Sequence, residues 1–71
     1  MKFVVQIKFG SIKKKVESFG SNRYLVYILS KKEEDGAMTE FISLMSKELG
    51  TPPSRIHYKY KEGESYVFEV D

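Results

Sequence analysis

Cysteine is absent from all 71 residues, which excludes disulfides and thiolate metal sites. Small domains often lean on such staples, because one core of this size supplies only about 3–5 kcal/mol. His57 is the only histidine, so a zinc site or a histidine dyad has almost nothing to be built from. Glycine-rich phosphate loops, dinucleotide fingerprints and nucleophile elbows are also missing. Glu33, Glu34 and Asp35 are adjacent, but they lack the alternating oxygen ligands and distal Glu of a calcium loop. The expectation is therefore no metal, no cofactor and no catalytic residue. No apolar run approaches the roughly 20 residues of a membrane span. Gln6 and Lys8 interrupt the opening MKFVVQIKF too early for a signal peptide. A soluble, cytoplasmic protein without membrane contact is expected.

What is present is a single domain's worth of chain, 41% hydrophobic and 14% aromatic, too apolar for disorder. The net charge is only +2, yet it is unevenly spread. Residues 1–32 carry eight basic side chains against Glu17 alone, a net of +7, whereas residues 33–71 carry four basic and nine acidic ones, a net of −5. Two readings remain open: compensation between halves that fold together, or an anionic partner for the first half.

Residues 2–9, KFVVQIKF, alternate with Phe3, Val5, Ile7 and Phe9 on one face, the period of a half-buried strand. After Gly10-Ser11, the stretch from Ile12 to Phe19 reads as a loop or a short edge strand, with Lys13, Lys14 and Lys15 discouraging edge pairing. Residues 23–30, RYLVYILS, are rich in β-branched and aromatic residues and apolar on both faces: Leu25, Tyr27 and Leu29 on one, Tyr24, Val26 and Ile28 on the other. From Ala37 to Leu49 the period becomes helical, with Met38, Phe41, Ile42, Met45 and Leu49 in one stripe. Asp35 is placed to cap its first amides and Gly50 to end it, and Pro52-Pro53 forbids continuation. Residues 55–60 alternate Ile56, Tyr58 and Tyr60 against Arg55, His57 and Lys59, and form a hairpin with Tyr66 to Val70 through a turn at Gly63. The expected fold is an α+β two-layer sandwich, β-β-α-β-β, with a mixed four-stranded sheet and one main helix over residues 1–71.

One helix covers one face of such a sheet, so the other face lies open or meets a partner. Alternation places Lys2, Val4, Gln6 and Lys8 there, joined by Tyr24, Val26 and Ile28 and by His57, Lys59, Val67 and Glu69. Two surfaces follow. Val4, Tyr24, Val26 and Ile28 form a candidate protein interface, for an unknown partner or self-association. Lys8, Lys13, Lys14, Lys15 and Arg23 form a candidate nucleic-acid contact, drawing phosphates by counterion release. The expected role is a non-enzymatic interaction module working through the open sheet face, with RNA or DNA binding by the basic half as the alternative.

The ordered segments also resemble a known family. VQIKFGSIKKKV at 5–16, YLVYILSKKEEDGAMTEFISLMSKELG at 24–50 and TPPSRIHYKY at 51–60 are similar to the YggU-like family of small proteins in strand, Asp-Gly turn, helix and following strand. The chain departs from it at Phe9, at Lys32-Glu33 and at Gly36-Ala37-Met38-Thr39. There the family carries a proline, a proline pair and Gly-Lys-Ala-Asn. The family's helix after the last strand has no counterpart in these residues. The resemblance implies a two-layer fold with a mixed sheet and carries no activity with it.

Overall fold

The alternation of Phe3, Val5 and Ile7 produces β1 (Lys2–Lys8), the central strand of the computed structural model, which describes residues 1–71. Around it lie β2 (Lys15–Ser18), β3 (Arg23–Tyr27), β4 (Ile56–Glu62) and β5 (Ser65–Val70), with α1 (Ala37–Leu49) and a single 3-10 turn at Pro53–Arg55 between β3 and β4. The sheet order is β2-β3-β1-β5-β4. It has five strands, so the chain runs β-β-β-α-β-β and not through the four strands expected. The extra strand is the short stretch before Phe19, held antiparallel to β3 by Val16 opposite Val26. Val16 gives β2 its reason to form, because it packs against the core while Lys15 and Glu17 point away.

Register decides which face each side chain joins. β1 pairs in parallel with β3, Val5 opposite Tyr24 and Ile7 opposite Val26, and antiparallel with β5, Phe3 opposite Phe68. Directly opposed residues share a face, so Tyr24 and Val26 lie with Phe3, Val5 and Ile7 beneath the helix. Val26 and Ile28 are 0% exposed, and the ring of Tyr24 stands edge-on to Phe3 at 5.8 Å. The open-face placement of Tyr24, Val26 and Ile28 is thus overturned, and of the four proposed interface residues Val4 alone keeps its face. RYLVYILS is apolar on both sides, so alternation within it cannot say which side meets the helix. The compact β-branched pair goes inward and Leu25 and Tyr27 go out.

The core stacks Phe3 on Phe68 at 5.3 Å and Phe68 against Phe41 of the helix at 5.0 Å. α1 buries Ala37, Phe41 and Met45, one residue per turn, with Ile42, Leu44 and Leu49 half-covered beside them. Met38, expected in the stripe, is 39% exposed: the helix is rotated so that the small Ala37 makes the close approach to the sheet. Asp35 does not cap the helix. The N-cap position is Gly36 with no side-chain cap bond, and Glu34 instead accepts the Lys31 amide at 2.9 Å in the turn before it. Gly50 ends the helix in the left-handed region at φ 66°, its N–H donating to the Ser46 carbonyl, as glycine permits.

At the other edge, β4 and β5 form the expected hairpin, but a bulge between Tyr58 and Tyr60 breaks the alternation. Tyr58 lies opposite Phe68 and packs on it at 5.5 Å, while Tyr60 lies opposite Val67 and emerges on the face away from the helix. The second turn signal, Gly20-Ser21-Asn22, closes the β2–β3 hairpin with Ser21 and Asn22 at φ 47° and 59° and the Arg23 amide donating to Gly20. Positive φ at both central positions is the type I′ arrangement that matches strand twist.

Candidate functional site

The sheet face away from α1 is the surface with room for a partner. Along β1 it presents Lys2, Val4, Gln6 and Lys8; alongside them β3 presents Arg23, Leu25 and Tyr27 in register with Val4, Gln6 and Lys8. On the other flank, Val67 lies opposite both Val4 and Tyr60. Val67 is buried yet stands outside the main core cluster, so it is the floor of this face.

The charges on the face divide by partner. Lys15 pairs with Glu17 at 3.0 Å, and that carboxylate's hydrogen bond and charge raise the Lys15 pKa above the ordinary lysine value. Lys59 pairs with Glu69 at 3.5 Å, and His57 Nε2 lies 2.9 Å from Asp71 Oδ2. Lys2, Lys8 and Arg23 enter no ion pair, which leaves the cationic excess on the β3–β1 side.

Two hollows mark this surface. One, of about 260 Å³, lies between Val4, Gln6, Arg23 and Ser65 with Phe19 at its side; Phe19 is 64% exposed. The second, of about 220 Å³, is lined by Ser11, Ile12, Lys13, Lys15 and Tyr27. Three rings therefore reach the open side or its rim: Phe19, Tyr27 and Tyr60.

The five basic residues expected to act together are separated by the fold. Lys8, Lys15 and Arg23 share the open face, and Lys13 borders it at the second hollow. Lys14 turns toward the helix, where its charge acts on Glu40. The Glu40 carboxylate accepts the Ser30 hydroxyl at 2.6 Å and the amides of Ser30 at 3.0 Å and Leu29 at 2.8 Å. The Ser30 hydroxyl chiefly holds its pKa below the ordinary carboxylate value, with both amides and Lys14 adding to the effect and burial opposing it. Glu40 is thus a tie between the end of β3 and the first turn of α1, not part of the surface site.

Sequence reasoning missed the three rings. Phe19 had a signal, since it directly precedes the Gly20-Ser21-Asn22 turn, where side chains splay outward. Tyr60 had none, because its direction depends on the bulge. Tyr27 depended on the two-sided apolar strand. Compared with protein-family models, curated proteins and solved structures, the chain matches none of them.

Proposed function

We propose that the open sheet face binds single-stranded nucleic acid, with no catalytic step. One observation carries this reading: the exposed rings of Phe19 and Tyr60 and the half-buried ring of Tyr27 share that face with cations that enter no ion pair. Bases stack on aromatic faces whatever their sequence, and ammonium or guanidinium groups beside the rings take up the phosphates between them. Lys2, Lys8 and Arg23 fill the second role and Phe19, Tyr27 and Tyr60 the first. Lys13 extends the cationic edge. Protein docking through this face is less well supported once Val26 and Ile28 are in the core, because its aliphatic part is then a strip around Val4, Leu25 and Val67. The likeness to the YggU-like family belongs to the same proposal as a kinship of layout.

Fluorescence anisotropy with labelled mixed-sequence RNA and DNA oligonucleotides at low salt tests the reading. Binding of both strands by a monomeric protein is the expected result. Absence of binding at the lowest salt, or a concentration-dependent dimer in sedimentation velocity that excludes the oligonucleotide, would overturn it.

A further inference from the structure

Where the sheet ends opposite the chain termini, three lysines from three separate segments converge. Lys8 closes β1, Lys32 belongs to the loop ahead of α1, and Lys61 lies near the end of β4; together they line a cavity of about 210 Å³. Gln6, Ile7, Phe9 and Tyr66 complete its walls, and Glu64 is the one carboxylate on its lining. None of the three lysines enters an ion pair. The Lys61 ammonium sits 5.4 Å from the centroid of the Tyr66 ring, which itself packs edge-on to Phe9 at 6.5 Å. Lys32 acts on Lys61 through hydrogen-bonding proximity and then charge, and holds its pKa below the ordinary lysine value. Burial adds to the effect and Glu64 opposes it.

Two ammoniums that face each other without an acceptor are a standing repulsion, and a ligand with several acceptor oxygens between them relieves it. The cavity is smaller than the roughly 300–1,000 Å³ of pockets for drug-sized molecules, so it suits a single compact group. Three lysines less Glu64 leave a local charge of +2, which a dianion balances and a phosphodiester does not. We propose that this cavity binds a phosphate monoester dianion, with its oxygens between Lys32 and Lys61 and Lys8 completing the charge. The site adjoins the stacking face and shares Gln6 and Lys8 with it, whereas Lys32 and Lys61 take no part in that reading.

The source of the group is a small phosphorylated molecule or the 5′-phosphate end of a strand. Amide and lysine side-chain NMR with inorganic phosphate and with phenyl phosphate tests the site on the intact chain. Shifts are expected at Gln6 to Phe9, Lys32 and Lys61 to Tyr66, together with a rise of the Lys61 pKa toward its ordinary value on saturation. A Lys32→Ala/Lys61→Ala variant should bind both probes at least tenfold more weakly while its circular dichroism stays unchanged. A 5′-phosphorylated oligonucleotide that outbinds its 5′-hydroxyl twin, with the gain lost in the double variant, assigns the group to a strand end. Equal binding of the two oligonucleotides, with phenyl phosphate still dependent on both lysines, assigns it to a small molecule. Unchanged phosphate affinity in the double variant, or shifts spread over all lysines alike, overturns the proposal and leaves the sheet-face reading untouched.

Discussion

At the scale of single residues, Glu40 shows how one carboxylate joins two elements. It accepts three hydrogen bonds from Leu29 and Ser30 across the crossover, and they favour its charged form. Because its pKa is lowered in the folded state, its contribution is complete above the ordinary carboxylate pKa and is lost as pH falls through the lower folded value. Glu40→Gln should therefore cost about 1 kcal/mol at neutral pH, after allowance for solvent screening of a partly exposed group. In urea titrations between neutral and acid pH, the gap between the two proteins should close as pH falls. A gap that persists at the acid end would mean that shape, not charge, carries the contribution. Ser21 is a second case, since a non-glycine residue at φ 47° is strained. Ser21→Gly is expected to raise the urea midpoint by the equivalent of about 0.5–1 kcal/mol, and Ser21→Val to lower it.

At the scale of elements, α1 separates what was legible in the chain from what was not. Its limits were legible: helical spacing from Ala37 to Leu49, Gly50 in the left-handed region and two prolines beyond it agree with the observed boundaries. Its rotation was not, because Ala37 and Met38 continue the same apolar pattern, and only closeness to the sheet selects the smaller residue. The cap was misassigned for a related reason: Asp35 has the right chemistry for a cap, but the turn before the helix is closed by Glu34 and the N-cap falls on Gly36. Thermal unfolding followed by circular dichroism separates these roles. Phe41→Ala should cost about 3–5 kcal/mol, as for a fully buried phenylalanine. Met38→Ala and Asp35→Ala should each stay within about 0.5 kcal/mol, whereas a true aspartate cap would cost about 1 kcal/mol. In the sheet, the inward faces of β1 and β5 followed from alternation alone. β3 could not be assigned without its parallel register to β1, and the direction of Tyr60 could not be assigned without the bulge. The candidate site is therefore less legible than the fold, since cations can be counted in the chain but rings on the open face exist only through register.

At the scale of the whole molecule, the uneven charge along the chain becomes an uneven charge across the sheet. β2, β3 and β1, all from the basic first half, are contiguous, and β5 and β4 from the acidic half lie together on the other side. The two halves compensate in sum, but they sit side by side, so Lys2, Lys8 and Arg23 form no ion pair with the hairpin, although Lys2 lies opposite Glu69 and Lys8 shares a cavity with Glu64. An anionic strand should then be drawn to the β3–β1 side and stack on whichever rings flank it. The two contributions separate by salt. Release of counterions gives a slope of about −0.7 per phosphate contact for a single strand, so Lys2, Lys8 and Arg23 together predict a slope of about −2 in log affinity against log salt. Lys8→Ala with Arg23→Ala should flatten it to about −0.7 and weaken binding most at low salt. Tyr27→Ala and Tyr60→Ala should each cost about 1–3 kcal/mol at every salt concentration and leave the slope unchanged. Anisotropy titrations across a range of salt concentrations measure both quantities at once. A slope that ignores the loss of Lys8 and Arg23 would remove the phosphate role from this face, and ring variants that bind as tightly as the parent would remove the stacking role.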